Sequence, residues 1–85
     1  MFIKNGKLEG ECILDPRVSF DVDEILPKYV QELIEQCEEL NNKDDWMAYS
    51  FVCDNLWVTA KNCYAHQKIS YKAFRLIEQR YCGYE

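Results

Sequence analysis

The chain alternates between stretches with helical apolar spacing and a first twenty residues without it. Leu26, Val30, Leu33, Cys37 and Leu40 recur at steps of four and three, and Tyr29 and Ile34 widen the stripe. That period predicts an amphipathic helix packed on a core. Pro27 is tolerated only in a first helical turn, so the helix is expected to begin near Leu26, or after Asp23. Asn41-Asn42-Lys43-Asp44 ends it. A second helix is expected from Asp44 or Asp45 to Ala65, with Asp44 as N-cap and Asp45 beside the positive end of the dipole. At 100° per residue its apolar residues fall into two groups. Trp46, Tyr49, Val52, Cys53, Leu56, Trp57, Ala60, Cys63 and Tyr64 form a broad stripe, and Met47, Phe51 and Val58 lie on nearly the opposite side. A helix apolar on both sides is sandwiched between layers or covered by a partner.

The third helix has the clearest start signal. Ser70 is its expected N-cap, and Ile69 before it can staple to Phe74. Ala73, Phe74, Ile77 and Tyr81 share one face, and Gly83 supplies a left-handed stop after Cys82. Upstream, Asn5-Gly6 between Phe2-Ile3 and Leu8–Leu14 is a hairpin signal, and Asp15-Pro16 marks a turn. The expected fold is all-α: a small three-helix domain with an extended or β-hairpin-like N-terminal segment. Residues 1–20 would form the arm or hairpin and residues 21–85 the helical core.

Composition sharpens this reading. With 48% apolar and 14% aromatic residues and only three Gly and two Pro, the 85-residue chain is too hydrophobic for a disordered acidic tail. Large aromatics bury about 150–250 Å² each, so Trp46, Trp57, Phe51 and Phe74 are expected to carry much of the stability. No signal peptide or membrane-length apolar run is evident, which leads to the expectation of a cytoplasmic protein. The five cysteines, an odd number, are then expected to be reduced thiols.

Charge is split along the chain. Residues 1–45 hold twelve acids against five bases, net −7, and residues 46–85 hold five bases against three acids, net +2. The acids at the entrance of the first helix (Asp21, Asp23, Glu24) match its dipole. Glu32, Glu35 and Glu39 recur on the side away from Leu33 and Cys37, with Glu38 beside them. Glu35, Glu38 and Glu39 crowd the C-terminal turns, where a negative charge costs about 0.3–1 kcal/mol, and Lys43 offsets only part of that. A local rule broken without compensation points to binding.

Chemistry-bearing motifs are sparse. Cys63 and His66 stand three apart, with Cys53 and Cys82 elsewhere, but structural zinc needs two close ligand pairs and only one exists. No phosphate loop, nucleophile elbow or His-Glu-x-x-His is present, and one histidine gives catalysis little to stand on. The expectation is therefore a non-enzymatic protein-interaction module without metal or cofactor. It would be an inhibitor or regulator, of the kind mobile genetic elements encode, that binds the basic surface of a nucleic-acid-handling protein. Glu32, Glu35, Glu38 and Glu39 would steer the encounter, and Met47, Phe51 and Val58 would supply apolar contact unless the N-terminal segment covers them. A homodimer is compatible with this, with Lys72 and Arg75 meeting the glutamate ridge within the fold or across the dimer. No membrane partner is expected. The alternative is a helix-turn-helix DNA-binding regulator using Lys72, Arg75 and Gln79, which the net charge of −5 disfavours.

Overall fold

A computed structural model describes residues 14–83, and among them the regular elements are three α-helices and no strands. They are α1 (Lys28–Asn42), α2 (Trp46–Ala65) and α3 (Tyr71–Tyr81). The fold is therefore all-α, as the periodicity predicts. The hairpin signal at Asn5-Gly6, and Cys12, lie outside the described residues.

The helices start and stop for local reasons. α1 begins one residue after Pro27, whose carbonyl accepts from the Val30 and Gln31 N–H groups. α1 ends in a Schellman turn: the Asp44 N–H reaches the Asn41 carbonyl at 3.2 Å and the Asp45 N–H the Leu40 carbonyl at 3.1 Å. Asp44 takes the left-handed conformation there, with φ 56°. This corrects the expected cap. Asp44 closes α1, and it is the Asp45 carboxylate that accepts the Ala48 N–H at 3.2 Å to open α2.

The same device ends α2. Gln67 sits at φ 60°, its N–H bonded to the Tyr64 carbonyl, and the Lys68 N–H bonds the Cys63 carbonyl at 2.7 Å. A left-handed non-glycine residue costs about 1–2 kcal/mol, a cost that Gln67 carries in full, whereas aspartate is among the few non-glycine residues that visit this region readily. Ser70 caps α3 through the Ala73 N–H, and Gly83 at φ 77° follows Cys82 as the sequence predicts.

Before α1, residues 14–27 form an irregular strap running antiparallel to α3. At one end the Asp15 N–H donates to the Arg80 carbonyl at 2.7 Å. The Asp15 carboxylate accepts from the Arg17 N–H at 3.0 Å, and the Val18 N–H bonds the Asp15 carbonyl, which makes the expected turn at Pro16. At the other end the Glu24 carboxylate accepts both the Ser70 N–H (2.9 Å) and the Ser70 hydroxyl. Glu24 thus serves the N-terminus of α3, not that of α1. No acid occupies the first turn of α1. Within the strap Leu14 is buried in the core and Phe20 meets Tyr81 edge-on at 5.5 Å.

The core lies where α2 packs between α1 and α3. Val30, Cys37, Tyr49, Leu56, Ala60, Ala73 and Ile77 are wholly buried within it, with Ile69 and Phe74 at the start of α3. Phe74 and part of Trp57 join the core as expected. Trp46 and Phe51 do not, being 48% and 74% exposed. Their share of the expected aromatic stabilisation falls away: Phe51 lies on the side of α2 away from the core, and Trp46 is the first residue of the helix, at the end of the packed stripe. None of the described helices is long and apolar enough to cross a membrane.

Candidate interaction surface

The two apolar faces of α2 have different fates. The broad stripe packs inward along most of its length: Tyr49, Cys53, Leu56, Ala60 and Cys63 are buried and Val52 and Trp57 pack at its margins, but Trp46 and Tyr64 at its two ends are 48% and 40% exposed. On the far side Met47, Phe51 and Val58 are 77%, 74% and 50% exposed. They fall at steps of four and seven, so one line down the helix joins them over about 16 Å. Trp46 flanks this line, its ring held edge-on to Tyr49 at 6.2 Å. Tyr49 is itself fixed, its hydroxyl donating to the Tyr81 carbonyl at 2.7 Å.

The glutamates of α1 divide just as sharply. Glu38 is half-buried and turned toward α3, where it accepts from Arg80 Nη2 at 3.1 Å, Arg80 Nε at 3.3 Å and the Tyr81 hydroxyl at 2.8 Å. Burial first, and then the Glu38 carboxylate, push the Tyr81 phenol above its ordinary pKa. Glu39 pairs with Lys43 one turn on at 2.8 Å, and that hydrogen bond lowers its pKa. Two of the three acids crowding the end of α1 are therefore compensated after all. Glu32 and Glu35 are exposed and carry no ion pair among the described residues. Arg80, and not Lys72 or Arg75, meets the ridge.

On α3, Lys72 is exposed, but Arg75 is drawn along the helix to the buried Glu78 carboxylate, which also accepts Trp57 Nε1 at 2.7 Å. Gln79 is half-buried. Of the three residues of the DNA-reading alternative, Lys72 alone stands clear of the fold.

The thiols lie inside. Cys37, Cys53, Cys63 and Cys82 are buried, and Cys82 Sγ reaches the Cys53 carbonyl at 3.8 Å. Among the described residues no three His, Cys, Asp or Glu side chains converge as metal ligands. Cys63 borders a surface cavity of about 220 Å³ lined by Tyr29, Thr59, Asn62, His66 and Lys68. There the Tyr29 hydroxyl and Cys63 Sγ hydrogen-bond at 3.2 Å, which raises the Tyr29 pKa. His66 Nδ1 bonds the Asn62 carbonyl at 2.8 Å, leaving Nε2 toward solvent. The cavity is smaller than the roughly 300–1,000 Å³ of ordinary ligand pockets.

Sequence reasoning passed over Trp46 as a surface residue, placing it in the buried stripe. The signal was its position: the first helical residue lies beyond the reach of both packed neighbours. No family model, curated protein or solved structure matches this chain.

Proposed function

We propose that this chain is a non-enzymatic protein-interaction module that docks a partner with a basic surface onto the outer face of α2. The observation that carries this reading is the exposure of Met47 and Phe51 on a helix that meets the core through its other face. Isolated exposed apolar residues are ordinary, but a continuous line of them beside an exposed tryptophan is the composition of interface centres. Glu32 and Glu35, exposed on the neighbouring helix, add a negative field that speeds encounters with a cationic surface. Blocking a nucleic-acid-handling protein is the regulatory role this charge suits, since its phosphate-binding surfaces are basic.

A photo-crosslinking residue placed at position 51 tests the reading in producing cells, with one at position 72 as control. Capture of a defined polypeptide from position 51 and not from position 72 is the expected result. Equal capture from both positions, or none from position 51, overturns it.

A further inference from the structure

The cavity beside Cys63 lies where α1 meets the end of α2, and none of the six side chains bordering its 220 Å³ is a carboxylate. Lys68 is exposed there and makes no ion pair among the described residues. His66 Nδ1 is held on the Asn62 carbonyl, so a proton taken up at Nε2 gives the cavity a second positive charge. The acids closest to this lining in the structure do not cancel that charge. Glu24 has both carboxylate oxygens engaged by Ser70, and Glu32, one turn after Tyr29, does not line the cavity. The last carbonyls of α2 are covered too. Those of Asn62, Cys63 and Tyr64 accept the His66, Lys68 and Gln67 N–H groups, so the negative end of the helix is not presented bare.

The sulfur at this cavity is turned differently from those in the core. Cys82 Sγ lies against the Cys53 carbonyl, with both residues packed inside. Cys63 Sγ instead meets the Tyr29 hydroxyl at 3.2 Å, and Tyr29 is 45% exposed. A group added to Cys53 or Cys82 would overpack the core, whereas one added to Cys63 grows into space already open. The Tyr29 phenol holds its proton beyond its ordinary range, with the Cys63 hydrogen bond as the first cause. It therefore remains a donor to the sulfur as thiolate, the form in which a cysteine attacks.

Size and charge then name the molecule. A space of this volume takes a short chain with one charged group and excludes cofactor-sized ligands. From the cavity, its cationic edge and its sulfur together, we infer that Cys63 is a modification site for small disulfides that carry a negative charge. Lys68 attracts the anionic end, and Cys63 Sγ attacks the nearer sulfur of the disulfide. A new S–S bond forms as the old one breaks. The other half leaves as a thiolate and takes the proton that Cys63 gave up. No further oxidant enters, and an excess of a small thiol reverses the step.

The test uses the reduced full chain with dithiodipropionate, a dianionic disulfide, and cystamine, a dicationic one of similar build. Peptide mapping over time gives the rate at each cysteine, and the same chain in urea supplies the rates of the unfolded thiols. In the folded chain the dithiodipropionate adduct is expected to form at Cys63 at least about tenfold faster than at Cys37, Cys53 or Cys82. The rate ratio of dianion to dication at Cys63 is expected to exceed that in urea at least about fivefold, and to fall several-fold in Lys68→Gln. Circular dichroism confirms that this variant stays folded.

Modification of Cys63 no faster than of the core thiols overturns the inference. A charge preference that is the same in urea, or undiminished in Lys68→Gln, overturns it as well. So does a disulfide from Cys63 to another cysteine of the chain in place of the adduct.

Discussion

The seam where α3 meets α1 and the strap, and the outer face of α2, solve opposite problems. At the seam charged groups have been brought partly out of water and each finds a partner. Arg80 donates to the Glu38 carboxylate, to the Val18 carbonyl at 2.7 Å and to the Asp15 carbonyl at 3.4 Å, while Tyr81 donates to the same carboxylate. Among the described residues no buried side-chain nitrogen or oxygen is left without a hydrogen bond. On the outer face of α2 apolar groups have been left in water with nothing described over them. Polar groups are thus satisfied where they leave solvent, and apolar groups remain where a partner can reach them. Sequence changes at the two places should accordingly act on different quantities: stability at the seam, binding at the face.

The largest effect is expected from Arg80→Met. It keeps much of the side chain's length but removes the donors to Glu38, Asp15 and Val18, which tie α1 and the strap to α3. Loss of a partly buried charge pair and of donors to two carbonyls should cost about 2–3 kcal/mol. Urea denaturation measures it. A loss below about 0.5 kcal/mol would place the seam among surface ion pairs of little worth and dissolve the contrast.

A smaller effect, about 1 kcal/mol, is expected from Tyr81→Phe, which removes one hydrogen bond and leaves the ring against Phe20. This variant also separates burial from charge. In the folded chain the Tyr81 phenol holds its proton above its ordinary pKa. As pH rises past about 10, the unfolded chain loses that proton while the folded one keeps it, so stability falls with pH until the folded phenol also ionises. The phenylalanine variant should lack this part of the alkaline loss, as denaturation at neutral and alkaline pH would show.

The helices were legible because their signals are local: a period near 3.6, Ser70 before Ala73, Gly83 after Cys82. The seam was not, because it joins residues 42 to 65 positions apart, and the strap has no period to announce it. Glu38 shows how narrow the margin is. In sequence it is one of four similar glutamates, but it follows Ile34 by four and so borders the apolar stripe, while Glu35 and Glu39 oppose it. Helical phase alone could have set it apart. Asp44 and Asp45 were harder, since neighbouring aspartates both suit a cap and only the turn decides which one serves. The exposed face of α2 was legible as a second apolar line, but what packs on a helix is a property of the whole chain.

The smallest expected effect on folding is the one that most sharpens the contrast. Phe51→Ser removes a large aromatic from the middle of α2, a change that in a core costs about 3–5 kcal/mol. At 74% exposure the ring has little to lose on the folded side. Serine is a slightly poorer helix former than the straight-chain residues, and the exposed position leaves only that intrinsic term. The variant should therefore unfold within about 0.5 kcal/mol of the parent, as urea denaturation would show. A loss of stability approaching that of a core truncation would mean that Phe51 is covered in solution by part of this chain or by a second copy. The face would then be part of the fold, and the division between a closed seam and an open surface would fail at the residue on which it rests.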